Sequence, residues 1–158
     1  MGPGRPHATI QSAIDSAASI RAARIAAGLN PRDRLIIVYP GTPELWNPAG
    51  AYFENLVIYD PVKLQGVGPG GVYPEGSGLD PVLGSVVDGR GVAGDTPYAE
   101  EWRLFVQSLD WDGNQALYEG AVMYVLAQDG ELWEAYRPTI DGFTIQGGDQ
   151  QGFPNNLA

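Results

Sequence analysis

The sequence predicts an all-β solenoid, in which short parallel strands stack on one another along a single chain. Three apolar, β-branched runs carry this prediction, at residues 35–39, 56–59 and 62–64. Pro and Gly bound each run, and runs of this length between turn formers are typical of strands. The connections between them are too rich in Pro and Gly to form the helical crossovers of an ordinary α/β sheet. A solenoid replaces those helices with tight corners.

A helix is predicted before these strands, over residues 9–28. Thr9 is a suitable N-cap, apolar positions follow it at helical spacing, and Gly28 is a natural stop. Ile20 and Arg21 interrupt the apolar stripe. The helix is expected to cap the first coil, where strand edges and core side chains would otherwise contact water. Residues 1–8 are rich in Gly and Pro, and we expect a disordered leader there.

The second half of the chain continues the strand pattern. Strands are predicted around residues 85–87, 121–127 and 139–146. The apolar centres at Val125 and Ile145 lie about twenty residues apart, which is in the range of one solenoid turn. These strands are therefore predicted to be successive coils.

Two segments fall outside this pattern. Residues 96–109 are predicted to form an inserted amphipathic helix, with Thr96 as N-cap, Pro97 in the first turn, and aromatic and aliphatic side chains at helical spacing. Residues 66–84 contain seven glycines and three prolines. Because these are too many turn formers for regular structure, an irregular outward loop is predicted there.

Six short motifs run along the chain. In chain order, they are TIQSAI at 9–14, PGT at 40–42, ENLVI at 54–58, PVKLQG at 61–66, VDG at 87–89 and IDGFTI at 140–145. Together they resemble the first coils of right-handed parallel β-helix proteins, the pectin-lyase-like superfamily. The resemblance implies a right-handed parallel β-helix whose first coils occupy residues 35–158, behind an N-terminal capping helix. We expect further coils beyond Ala158, because solenoids normally end in a capping segment and the polar tail provides none.

Composition limits the partners of the chain. A formal net charge of -10 disfavours binding to nucleic acid and to anionic membranes. No apolar run approaches the roughly 18 residues of a membrane span. The first residues lack the apolar region of a secretory signal. A secreted or cell-surface location is therefore an expectation that comes from the resemblance alone.

Three tryptophans in polar segments are candidate carbohydrate-binding residues. They are Trp46, Trp111 and Trp133. A tryptophan offers an apolar ring face that can stack on a sugar and an N–H that can donate a hydrogen bond. The alternative is that each ring packs back on its own scaffold. The expected partner is a polysaccharide or a cell-surface glycan.

Acidic residues next to glycine suggest two further kinds of position. Asp110, Asp112 and Asn114 form a short oxygen-rich segment that could hold Ca²⁺, although its spacing fails the EF-hand pattern. Asp88 and Asp141 each precede Gly, so they are either ligands or, as Asp-Gly more commonly is, turn residues. The sequence predicts no other cofactor.

The sequence presents no catalytic set. The single His, His7, lies in the leader, so histidine-assisted nucleophilic catalysis has no candidate. Lyases of the resembled superfamily use Ca²⁺-binding acids with a basic residue, and hydrolases group several aspartates, but neither set can be transferred to positions in this chain. Two hypotheses remain. The chain is either part of a carbohydrate-binding or structural protein, or the cap region of a polysaccharide lyase or glycoside hydrolase whose catalytic coils lie downstream.

Overall fold

The computed structural model describes residues 4, 6–75, 78–89, 104, 108, 121–126 and 137–148. Apart from two helical positions in the segment 96–109, these residues form one helix and nine short strands. In chain order, they are α1 (Ile10–Ala26), β1 (Arg34–Val38), β2 (Leu56–Ile58), β3 (Val62–Gly66), β4 (Gly71–Glu75), β5 (Gly78–Val82), β6 (Ser85–Asp88), β7 (Met123–Val125), β8 (Thr139–Asp141) and β9 (Phe143–Gln146).

Helix α1 begins and ends where local sequence signals place it. The Thr9 hydroxyl accepts a hydrogen bond from the Ser12 N–H at 3.1 Å, so the predicted N-cap is confirmed. Gly28 follows the helix with φ of 68°, a left-handed conformation that favours glycine. Only the first half of the helix is buried, and Ile20, which falls off the apolar stripe, is 43% exposed.

The strands pair mainly in parallel. β1, β3 and β8 form one three-stranded parallel sheet in the order β1-β3-β8, β2 pairs with β7, and β6 pairs with β9. No helix crosses between β1, β2 and β3, as the sequence indicates. Parallel pairing through irregular connections is therefore a property of the described chain.

The predicted right-handed parallel β-helix is wrong. The described strands form three small separate parallel sheets and a hairpin, with no closed solenoid among them. The register shows the reason, since Val125 pairs with Ile58 whereas Ile145 pairs with Val87. The strands around residues 125 and 145 thus belong to different sheets and are not successive coils. Their spacing in the sequence therefore did not indicate which strands pair.

The segment at 66–84 also differs from its prediction. β4 and β5 form an antiparallel hairpin in which Gly71 pairs with Val82 and Glu75 pairs with Gly78. Proline is tolerated there because each strand of a two-stranded hairpin has an unpaired edge. The many turn formers therefore shape a hairpin and its ends, where the backbones of Gly70 and Gly84 approach too closely for a side chain.

The predicted helix at 96–109 lies almost entirely outside the described residues. Leu104 and Ser108, the two positions that are described, are helical. The prediction for the remainder of this segment stays a prediction.

One hydrophobic core receives side chains from α1 and from all three parallel sheets. Ser85 is fully buried beside it, and its hydroxyl donates to the Val38 carbonyl at 2.6 Å and accepts from the Val67 N–H at 2.9 Å. The hydroxyl therefore ties β6 to the ends of β1 and β3 without an unsatisfied polar atom. The buried members of the core are Ile10, Ala13, Ile14, Ala17, Ile36, Val38, Leu56, Ile58, Val62, Leu64, Val87 and Val122.

Glu54, just before β2, links α1 to the core by hydrogen bonds. Its two carboxylate oxygens accept hydrogen bonds from the Ile10 N–H at 2.8 Å and the Gln11 N–H at 3.0 Å. These are N–H groups that a helix N-terminus cannot satisfy internally. Burial raises the pKa of Glu54 above its usual value, and the two backbone hydrogen bonds offset part of that rise.

The raised pKa of Glu54 predicts a pH effect on stability. A carboxyl with a raised pKa in the folded state stabilises the fold below its unfolded pKa, and this contribution is lost as pH rises through the folded pKa. We expect the free energy of unfolding of the native chain to fall relative to that of Glu54→Gln as pH rises from below the usual glutamate pKa towards neutrality. Urea denaturation of both proteins across that range measures the difference. Parallel pH profiles would contradict the prediction.

Candidate functional site

The loop between β1 and β2 is closed by its own hydrogen bonds. The Gly41 N–H donates to the Gly50 carbonyl at 2.9 Å, and Glu44 and Asn47 exchange two backbone hydrogen bonds, each 3.0 Å long. The Asn47 side chain is buried, donating to the Ala51 carbonyl at 2.9 Å and accepting from the Ala51 N–H at 2.8 Å. Asparagine suits this role because its amide carries both a donor and an acceptor. The loop is therefore held in one shape across its base.

Trp46 lies at the tip of this loop and is 69% exposed. Its ring stacks on Phe53, with ring centroids 5.5 Å apart and an angle of 25° between the ring planes. The stacked geometry is one that aromatic pairs prefer. Because Phe53 backs one face of the indole, the opposite face remains available to a ligand.

A cleft of about 380 Å³ opens beside the two rings. Thr42 and Glu44 line it with exposed polar side chains, and Tyr52 contributes its ring. The Tyr52 hydroxyl donates to the Tyr39 carbonyl at 3.0 Å. Burial, and then the charge of Glu54, raise the pKa of Tyr52, so this phenol stays neutral. The cleft thus combines an aromatic platform with hydrogen-bonding groups.

The structure places one of the three predicted sugar-binding tryptophans. Trp46 lies in the cleft. Trp111 and Trp133 lie outside the described residues. Their assignment as carbohydrate-binding residues stays a prediction.

The predicted Ca²⁺ ligands also lie outside the described residues. They are Asp110, Asp112 and Asn114. In the part of the chain that the structure describes, no three His, Asp or Glu side chains lie close enough together to hold a metal ion. The Ca²⁺ site therefore stays a prediction.

The two Asp-Gly positions have different roles. Asp88 is completely buried, and its carboxylate accepts a hydrogen bond from the Gln146 side chain at 2.8 Å. It therefore joins β6 to β9 and is not accessible to a ligand. Asp141 is exposed, and Gly142 after it has φ of 73°, which makes this pair the turn between β8 and β9.

Asn55 links two distant segments of the chain. Its side chain donates to the Ala121 carbonyl at 2.8 Å, across 66 positions of sequence. The residue therefore connects the segment before β2 to the segment before β7.

A second polar cluster lies between α1 and the end of β2. The Gln11 amide donates to the Val57 carbonyl at 3.2 Å and accepts from the Val57 N–H at 2.9 Å, so it pairs with the strand as a neighbouring backbone would. Asp15 accepts from the Tyr59 hydroxyl at 2.8 Å. Burial, followed by this hydrogen bond, raises the pKa of Tyr59 well above its usual range. These groups satisfy one another's hydrogen-bonding capacity, so the cluster attaches α1 to the end of β2.

Sequence reasoning missed three residues of the cleft. Phe53, Thr42 and Glu44 were not singled out, although all three line it with Trp46. The available signal was an aromatic residue a few positions after a loop tryptophan, on the far side of an Asn-Pro turn. That signal becomes informative only when the loop is known to fold back on itself.

In the ranges described here, no helix is long and apolar enough to cross a membrane. Comparison of the chain with protein-family models, with curated proteins and with solved structures finds no match.

Proposed function

We propose that this chain binds carbohydrate through the cleft at Trp46, with a polysaccharide or a cell-surface glycan as its partner. The observation that carries the proposal is the exposed Trp46 ring, which is backed by Phe53 at the mouth of a cleft lined by polar side chains. An indole face covers the apolar C–H face of a sugar ring, while neighbouring polar groups bind its hydroxyls.

The rigidity of the loop supports this assignment. Binding costs less entropy when the binding groups are already held in place. The Asn47 side chain and the reciprocal Glu44–Asn47 backbone hydrogen bonds hold the two residues that flank Leu45 and Trp46. A ligand would therefore meet a preformed platform.

Replacing Trp46 with Ala tests the proposal. We expect Trp46→Ala to weaken glycan binding about tenfold or more, because a stacked aromatic anchor dominates the energy of such a contact. Trp46→Phe should retain part of the affinity. The measurement is isothermal titration of the 158-residue chain with soluble xylan, β-1,4-galactan, polygalacturonate and alginate.

Leu45→Ala is the matched control. Leu45 is the neighbouring residue in the same loop and is fully exposed, but it carries no ring and does not line the cleft. Its replacement should leave glycan affinity unchanged. The proposal fails if no polymer of the panel binds, or if Trp46→Ala binds as tightly as the native chain.

A further inference from the structure

We infer that the cleft selects uncharged sugar rings with adjacent free hydroxyls and rejects uronic acids, and that Glu44 is the residue that determines this specificity. The inference rests on the proposed carbohydrate binding and adds the class of sugar. Three observations carry it, namely the position of Glu44, the charge around the cleft, and the chemistry of a carboxylate next to an aromatic platform.

Glu44 is fixed close to Trp46. Its backbone N–H and carbonyl both bond to Asn47, and the Asn47 side chain is in turn held by Ala51. The Glu44 side chain is exposed and lines the same cleft as the Trp46 ring. The Glu44 side chain therefore borders the same cleft that a sugar stacked on the indole would enter.

The charge around the cleft is unfavourable for an anion. Among its described lining residues, Glu44 is charged and none is a Lys or Arg. Three described basic side chains are engaged elsewhere, Arg21 with Asp60 at 3.4 Å, Arg24 with the Asn30 carbonyl and Lys63 with Asp33 at 3.8 Å. The net charge of -10 adds a repulsive background. A uronate carboxylate would therefore meet like charge, with no compensating Lys or Arg among the described residues that line the cleft.

The same carboxylate favours a neutral sugar. Its two oxygens accept hydrogen bonds and donate none, so they match two adjacent hydroxyls of one ring. Hydrogen bonds to an ionised acceptor are stronger than those between neutral groups. The Thr42 hydroxyl, which also lines the cleft, can donate or accept as a third group. Glu44 would thus attract a neutral ring and repel its oxidised counterpart.

The test uses pairs of polymers that differ only in whether each ring carries a carboxylate or a hydroxymethyl group. Polygalacturonate and alginate are each compared with their carboxyl-reduced forms, which keep the backbone and the linkages, by isothermal titration of the 158-residue chain at low salt. We expect the affinity for each reduced polymer to be about fivefold or more above the affinity for its uronate parent. This preference should shrink at about 1 M NaCl, where the screening length falls to about 3 Å.

Two variants distinguish the effect of the Glu44 carboxylate on binding from the effect of the overall charge of the chain. Glu44→Gln should weaken binding of the reduced polymers and at least halve the preference for them, since the amide removes the charge and one acceptor. Asp33→Asn removes the same charge at an exposed residue that does not line the cleft, so the preference should be unchanged.

The outcomes distinguish the two proposals. If Trp46-dependent binding is as tight for a uronate as for its reduced form, or if Glu44→Gln keeps the full preference, the specificity inference is overturned while carbohydrate binding stands. If no polymer, charged or reduced, binds in a manner that depends on Trp46, the proposed function itself is overturned. If Asp33→Asn loses as much of the preference as Glu44→Gln does, the preference comes from overall charge. That outcome would overturn the role of Glu44.

Discussion

Ile14→Ala is expected to lower the free energy of unfolding by about 3 kcal/mol, which is typical for truncating a buried aliphatic side chain. Ile14 is completely buried on the core-facing side of α1 and packs in the cluster shared by the helix and the three parallel sheets. Removing its outer carbons leaves a cavity, because the strands on the other side of the core are tied to one another by backbone hydrogen bonds. Urea denaturation of the two proteins at one pH measures the loss.

Ile20→Ala is the control on the same helix. Ile20 is the same residue type but is 43% exposed. Alanine is also the better helix former, which offsets part of the lost contact. We expect a change of less than about 1 kcal/mol. Similar losses at positions 14 and 20 would mean that the first half of α1 does not cover the core.

Gly66→Ala is expected to destabilise the chain by about 3 kcal/mol, at the upper end of overpacking substitutions. Gly66 ends β3, and a Cβ atom there would overlap the backbone carbonyl of Gly142 and come within 2.8 Å of the Ser85 Cβ. The carbonyl belongs to the turn between β8 and β9, so it cannot move without shifting both strands. The side chain would therefore separate β3 from its neighbours.

Gly28→Ala isolates the steric effect from the general cost of replacing a glycine. Gly28 has φ of 68°, but no atom lies within 4 Å of a Cβ built there. We expect a loss of about 1 kcal/mol, which is the cost of placing a side chain in the left-handed region. Guanidinium denaturation of both variants gives the comparison. An equal or larger loss for Gly28→Ala would contradict the close approach at Gly66.

The helix and most strands followed from local sequence. Thr9 and Gly28 bound α1 because capping depends on residues a few positions away. The β-branched runs became β1, β2 and β3 for a similar reason, since turn formers on either side limit each run to strand length. The hairpin of β4 and β5 was missed, because a high content of Gly and Pro indicates turns without indicating whether the chain between them pairs.

Only part of the candidate site could be predicted from the sequence. Trp46 stood out as an aromatic residue in a polar loop. Phe53, which supports its ring, could not be assigned to it, because their contact depends on the Asn47 side chain closing the loop onto Ala51. Glu44 gains its proposed role only from lying in the same cleft.

Local sequence was enough to predict an N-terminal helix followed by short strands without helical crossovers between the first three of them. Which strands are neighbours depends instead on the packing of the whole core. A strand of three to five residues carries little information about its partner, so Ile145 pairs with Val87, and Val125 pairs with Ile58, 67 positions earlier. Pairing is selected by burial in a core to which distant segments contribute, and the formation of that core joined the described parallel strands into three separate sheets rather than one continuous spiral.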